Sequence, residues 1–262
     1  MPRRWWSEYR SDEFGGIDPA KTIAILPTAA IEQHGPHLPV GVDTMINEGM
    51  LRLLADHAPD DLDIRILPIQ AVGKSNEHLH APGTLTLDWQ TALNAWVEIG
   101  VSIARAGVRK VVIVNSHGGN LDLIGVLARE LRVIADMLAV KCQWNGFGHP
   151  EGMIGERERR FGIHGGDVET SLMLHFRPEL VDMEKAKDFR SSAEHGGLQP
   201  IGPVSYGWIA SDLSPHGVVG DALAATAEKG RAIAEHQVGG MIALLREVEA
   251  FDLGRFEEGD RS

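Results

Sequence analysis

Short apolar runs rich in Ile and Val alternate with longer stretches whose apolar residues recur every three or four positions. This alternation constrains the fold more than any other feature of the chain. Residues 22–27 (TIAILP), 63–69 (DIRILPI), 111–115 (VVIVN) and 140–144 read as four strands, and continuous apolar runs of this kind suit strands buried on both faces. Helices are predicted between them. One spans 43–57, with Asp43 as N-cap and Ile46, Met50, Leu53 and Leu54 as its stripe. A second is capped by Asp88, carries Leu93, Trp96, Ile99 and Ile103, and stops near Gly107. A third runs over 120–139, a fourth starts near Asp167, and a long last one covers about 221–248. Strand–helix repetition predicts an α/β fold: a mainly parallel sheet with helices on both faces. No repeat or low-complexity linker interrupts residues 1–253, so a single domain is expected, followed by a flexible polar tail over 254–262. The Gly/Pro-rich connection over 195–220 is too long to be structural filler.

Charge and composition exclude several classes of function. The net charge of −12 argues against a general nucleic-acid partner. No stretch of 18 apolar residues is present, so no membrane span is expected. The first residues, MPRRWWSEYRSDEF, lack the apolar core of a secretory signal. The single cysteine, Cys142, excludes an internal disulfide framework and suits a cytoplasmic protein. Cys142 is expected to be a small buried side chain, Trp5 and Trp6 to be interface or core anchors, and GERERR (155–160) to be a solvated segment.

In open parallel sheets ligands bind beyond the carboxyl ends of the strands, so the residues following each strand carry the functional argument. After the first comes PTAAIEQHGPHLPVGVD. Glu32 and His34, two apart, point to one side of an extended segment, and Asp43 opens the next helix. The three form a mixed N/O set suited to Zn²⁺ or Mn²⁺, or else a solvated loop with a capping aspartate. His37 reads as packing within its turn. The second strand leads to GKSNEHLHAPGTLTLD, whose His78 and His80 are expected to face one way as a pocket wall. The third leads to NSHGGN, where His117 sits just past the strand end, as a ligand or as a turn residue. In GIHGGDVETSLML, His164 lies in a Gly-rich loop, Asp167 can cap the helix, and Glu169 lies in its first turn, where dipole compensation alone would also explain it. No Gly-x-Ser-x-Gly elbow supports a serine hydrolase.

Together, LPTAAIEQHGPHLPVGVD, EHLHAPGTLTLD, VIVNSHGGN and HGGDVETSLML resemble the creatininase (creatinine amidohydrolase) family, in family order over about residues 25–181. The resemblance implies an α/β protein with two divalent ions, Zn and/or Mn, that hydrolyses an amide C–N bond by a metal-activated water. It implies Glu32, His34, Asp43 and His117 as metal ligands, with Asp43 bridging, and His164 in proton transfer. It places His80, Gly118, Gly119 and Trp144 at the substrate, and it implies a homo-oligomer, creatininase itself being a hexamer. Two departures stand out. Creatininase carries Tyr-Glu where this chain has Gly118 and Gly119, and that Glu is a ligand; Glu169 is the expected replacement. A substrate-contacting Trp four residues before the His164 position is Arg160 here. A small cyclic amide is the first expected substrate, a linear formamide or short peptide the second, and a non-enzymatic metal-binding module the third reading.

Overall fold

The computed structural model describes residues 2–256. Its central feature is a fully parallel sheet of β1 (Ile23–Thr28), β2 (Ile64–Ile66), β3 (Lys110–Asn115) and β4 (Leu138–Gln143), in the order β2-β1-β3-β4. Ile23 lies opposite Ile64 on one side and Lys110 on the other, and Lys110 lies opposite Leu138. Helices α1 (Val42–His57), α2 (Trp89–Arg105), α3 (Leu121–Ala135), α4 (Glu156–Phe161), α5 (Asp167–Phe176), α6 (Ala210–Leu213) and α7 (Ala227–Ala250) surround it, with a small antiparallel ribbon of β5 (Asp188–Phe189) and β6 (Gly220–Asp221). The molecule is a single α/β domain, as the strand–helix alternation predicts.

Every residue of β1 and β3 is buried, because both faces of the sheet are covered. The two-residue period of a strand divides them. Ile23, Ile25, Val112 and Val114 join a core with α1, α5 and α7, while Ala24, Leu26, Val111 and Ile113 join a second core with α2 and α3. Lys110, only 1% exposed, donates from Nζ to the carbonyls of Glu249 (2.7 Å) and Phe251 (2.9 Å) at the end of α7. A cation is favoured there by the helix dipole. Trp5 forms a bridge with Ile66 and packs on the first core, whereas Trp6 packs on the second, so both are core anchors within the chain. No helix among the described residues is long and apolar enough to cross a membrane.

Several boundaries differ from expectation. Asp88 caps α2 through Gln90 N and Thr91 N, but Asp43 and Asp167 are not N-caps; Gly41 and Gly166 are. Asp43 is thereby released toward the strand ends, and Asp167 pairs with Lys229 at 2.6 Å. Helix α3 stops at Ala135, because Asp136 adopts a left-handed conformation (φ 51°) that turns the chain into β4. The last helix begins at Ala227 rather than near 221, because Gly220–Asp221 pairs with β5 and the Asp221 amide is held by Glu158. Gly155, Glu156, Arg159 and Arg160 are exposed, as the solvated reading of 155–160 expects, and Glu158 is the exception. The segment forms α4, and the buried Glu158 carboxylate accepts from the amides of Asp167 and Asp221, each at 2.8 Å. Cys142 is half-buried, with its thiol pushed up to about 12 by burial. Of the expected tail, 254–256 lie in a helical turn whose Phe256 ring stacks under Arg132, and the remainder falls outside the described residues.

Candidate metal centre and substrate pocket

The strand order reverses between β1 and β3, and the chain segments leaving these two strands carry Glu32, His34 and His117. Ligand crevices form at such switch points. The strand ends are tied together: Thr28 Oγ1 donates to Asn115 Oδ1, and Asn120 Nδ2 bonds both Asn115 Oδ1 and the Ala29 carbonyl. Gly73 approaches Ala29 and Asn120 so closely that a Cβ would sit 2.4 Å from the Ala29 oxygen.

Glu32, His34, Asp43, His117 and Glu169 converge. His34 Nε2 lies 3.8 Å from Asp43 Oδ1 and 3.7 Å from Glu169 Oε2. His117 Nδ1 lies 3.3 Å from Glu32 Oε1 and 3.5 Å from Asp43 Oδ2. Two ligand atoms each ~2.1 Å from a tetrahedral ion stand ~3.4 Å apart, so these contacts have the spacing of ligands around a cation. His34, Asp43 and Glu169 lie together closely enough to share one ion, as do Glu32, Glu77 and His117. Asp43 turns one oxygen to each set, Oδ1 to His34 and Oδ2 to His117. The two histidines are oriented alike. His34 Nδ1 donates to the Glu32 carbonyl (3.0 Å) and His117 Nε2 to the Lys74 carbonyl (2.9 Å), so the other nitrogen of each ring faces the carboxylates. That second hydrogen bond is what fixes a metal-ligating imidazole. His34 Nε2 and Asp43 Oδ2 are buried and have no hydrogen-bond partner among the described residues. An unpaired buried polar atom costs about 1–3 kcal/mol, and a cation in each set would satisfy one of the two. The residues present therefore fit a metal pair.

The electrostatics agree. Burial, then the Glu32 charge, pushes the Asp43 carboxyl well above its usual range. Burial also raises Glu32, but His117, His164 and His78 outweigh it and hold that carboxyl well below. Burial opposes a charge on His117, yet Glu32, Asp43 and Glu77 raise it to about 10. Without an ion, a protonated His117 is the positive charge that these carboxylates draw in.

His164 stands beside both sets. Its ring lies between those of His34 (4.1 Å) and His78 (4.3 Å), with Nε2 donating to the Gln33 carbonyl at 2.6 Å and Nδ1 at 3.4 Å from Glu32 Oε1. Burial and neighbouring His34 lower it to about 4, so the neutral ring faces the centre. His37 ties this loop to the first: its Nε2 reaches the Gly165 carbonyl (3.1 Å) and Thr170 Oγ1 (3.0 Å).

The expected substrate residues separate. A cavity of about 590 Å³ is lined by Gly118, Trp144, His164 and Glu169, among others. Trp144 is buried, its Nε1 donating to Asn47 Oδ1. Gly119 does not line the cavity; a Cβ there would meet Glu77 Oε1 at 2.0 Å and His117 Nε2 at 2.4 Å. His80 is exposed while His78 is buried, contrary to the expectation that they face one way. The segment Asn76–His78 is a helical turn, not an extended strand, so alternation fails there. Sequence reasoning missed Glu77. Its Oε1 lies 3.5 Å from His117 Nε2 and its Oε2 accepts from Lys74 Nζ at 2.8 Å, behind the ligand face of His117. It also missed Gln33, whose Nε2 bonds His78 Nδ1 (2.8 Å) and the Gly217 carbonyl.

An α/β domain with a mixed nitrogen–oxygen ligand cluster at the switch point of its sheet defines a class of metal-binding hydrolase folds, and the sequence places this chain within it. The pattern of the creatininase family, described as creatinine amidohydrolase, matches residues 7–245, and the chain belongs to that family. It is 30% identical to the creatinine amidohydrolase of Pseudomonas putida over 263 residues, covering 92% of this chain and 94% of that protein. It is 32% identical to the mycofactocin precursor peptide peptidase of Mycobacterium ulcerans, covering 80% and 78%. Among solved structures, a Zn–Zn form of a mutant creatininase superposes with a TM-score of 0.76 at 26% identity, covering 95% of this chain and all of that one. A mutant creatininase complexed with creatine gives 0.74 at 28%, covering 93% and 97%.

Proposed function

We propose that the protein hydrolyses an amide C–N bond with two divalent ions, Zn and/or Mn. One would be held by His34, Asp43 and Glu169 and the other by Glu32, Asp43 and His117. The observation that carries this reading is the pair of orphaned buried atoms, His34 Nε2 and Asp43 Oδ2, each facing a second ligand type at coordination spacing. Ions bound there supply Lewis acidity, lowering the pKa of water and polarising a carbonyl. The residues do the rest. Asp43 and Glu169 supply negative charge on one side and Glu32 on the other. His164, neutral and with Nδ1 open toward the centre, accepts the proton that water gives up and passes it to the departing nitrogen, so the amide becomes a carboxylic acid and an amine. The Gln33 carbonyl holds Nε2–H and so keeps that tautomer.

Of the expected substrates, the cavity admits a linear amide or short peptide as well as a small cyclic amide. At about 590 Å³ the pocket falls in the ~300–1,000 Å³ range that encloses drug-sized ligands, well beyond one five-membered ring. The purified protein is expected to contain two divalent ions per chain by elemental analysis, and chelation is expected to abolish hydrolysis across a panel of lactams, hydantoins, formamides and short peptides. Full hydrolysis by rigorously metal-free protein would overturn the proposal.

A further inference from the structure

Three polar groups lining the same cavity have no part in the hydrolytic machinery: His149, Arg159 and Gln237. The arginines around α4 are otherwise engaged. Arg157 bonds Asp188 at 2.6 Å and Glu194 at 3.2 Å, and Arg160 lies over the Phe161 ring at 4.9 Å. Arg159 has no carboxylate within ion-pair distance among the described residues. The neighbouring acid does not neutralise it by contact, since both oxygens of Glu158 are taken by the amides of Asp167 and Asp221. In a chain of net charge −12, an arginine left unpaired at a cavity wall is a directed feature. Gln237 supplies an independent observation. It is 1% exposed, its Nε2 donates to the Gly148 carbonyl at 3.1 Å, and its Oε1 has no partner among the described residues. A buried amide oxygen in a cavity wall is an acceptor in want of an N–H.

We propose that the pocket takes an amide that carries a carboxylate, with Arg159 holding the carboxylate and Gln237 Oε1 accepting an N–H of the same molecule. The inference rests on the cavity being the hydrolytic site. An N-acyl amino acid or the carboxyl end of a short peptide has both groups. A monoanion is the better match than a phosphate: His149 is kept toward its neutral form by burial, His236 and Arg159, so the wall offers a single full positive charge.

Calorimetry on the metal-loaded protein tests this with N-acetyl-L-alanyl-L-alanine and its C-terminal carboxamide. The wild type is expected to bind the acid about tenfold or more tightly than the carboxamide, as a charge-assisted guanidinium contact gives. Arg159→Gln, an exposed position where folding and metal content should be retained, is expected to lose most of that preference. No preference in the wild type overturns the proposal. So does an equal preference in both proteins, which would assign the carboxylate to the metal ions. Tighter binding of an analogue with a phosphate in place of the carboxylate overturns the choice of anion. Cleavage of the same two ligands is followed alongside, so a protein that shows the preference but cleaves no amide would count against the hydrolytic reading alone.

Discussion

In the proposed metal pair, Glu169 would take the place of a carboxylate that the His117 segment does not provide. Its Oε2 lies 3.7 Å from His34 Nε2 and accepts from the Gly165 amide at 2.5 Å, so a helix residue and its own loop aim it inward. Glu169→Gln is expected to lose about one ion per chain and most activity while the fold persists. Retention of two ions on elemental analysis would reduce Glu169 to helix-dipole compensation, worth about 0.3–1 kcal/mol. His164→Ala is expected to lower kcat by about 10²–10⁴, the usual range for a lost proton-transfer group, with both ions kept. Loss of metal instead would make His164 a ligand, a role its place beside Glu32 and His34 also permits. Glu32, His34, Asp43 and His117 could be picked out as candidates because they follow strands, where a parallel sheet gathers its loops, whereas Glu169 follows the short helix α4 and is singled out only beside the family resemblance. Glu77 was not legible, because alternation was applied to a segment that coils. Nor could Gly119 be read as making room for Glu77, since a close approach leaves no mark in the sequence except the glycine itself.

At the scale of elements, α5 and α7 cross so closely that Gly230 sits on the α5 backbone. A Cβ there would lie 1.9 Å from the Ser171 carbonyl oxygen and 2.9 Å from His175 Cβ. Backbone cannot yield as a flexible side chain does, so Gly230→Ala is expected to destabilise by at least about 1–3 kcal/mol through overpacking. Gly239, on the same helix, is exposed and has nothing within 4 Å of the same position, so Gly239→Ala is expected to stabilise by about 0.5–1 kcal/mol. Urea unfolding of the two variants measures both signs in one helix. The strands and the apolar stripes of the helices were readable from period alone. The boundaries that failed did so for tertiary reasons: a left-handed Asp136 ends α3, and Glu158 holds Asp221 in a strand where helix was expected. A buried glutamate inside a run of charges is indistinguishable, by composition, from a solvated one.

For the whole molecule, the family resemblance implies a homo-oligomer, although Trp5 and Trp6 now serve the chain's own cores and lend that reading no support. Exposed apolar residues remain, among them Val133 and Ile134 on α3, and Leu79 and Leu85 in the segment after β2. Light scattering at micromolar concentration is expected to give a multiple of the 28.5 kDa chain mass, and a monomer mass would refute it. The capping of α7 by Lys110 bears on how the chain comes to be made. Central strands β1 and β3 leave the ribosome early, but the face they present to Ile233, Met241 and Leu245, and the ammonium committed to the carbonyls of Glu249 and Phe251, wait for more than a hundred further residues. Until that last helix emerges, this face of the sheet has only α1 and then α5 to cover it, so the first core closes at the end of synthesis and not domain-half by domain-half.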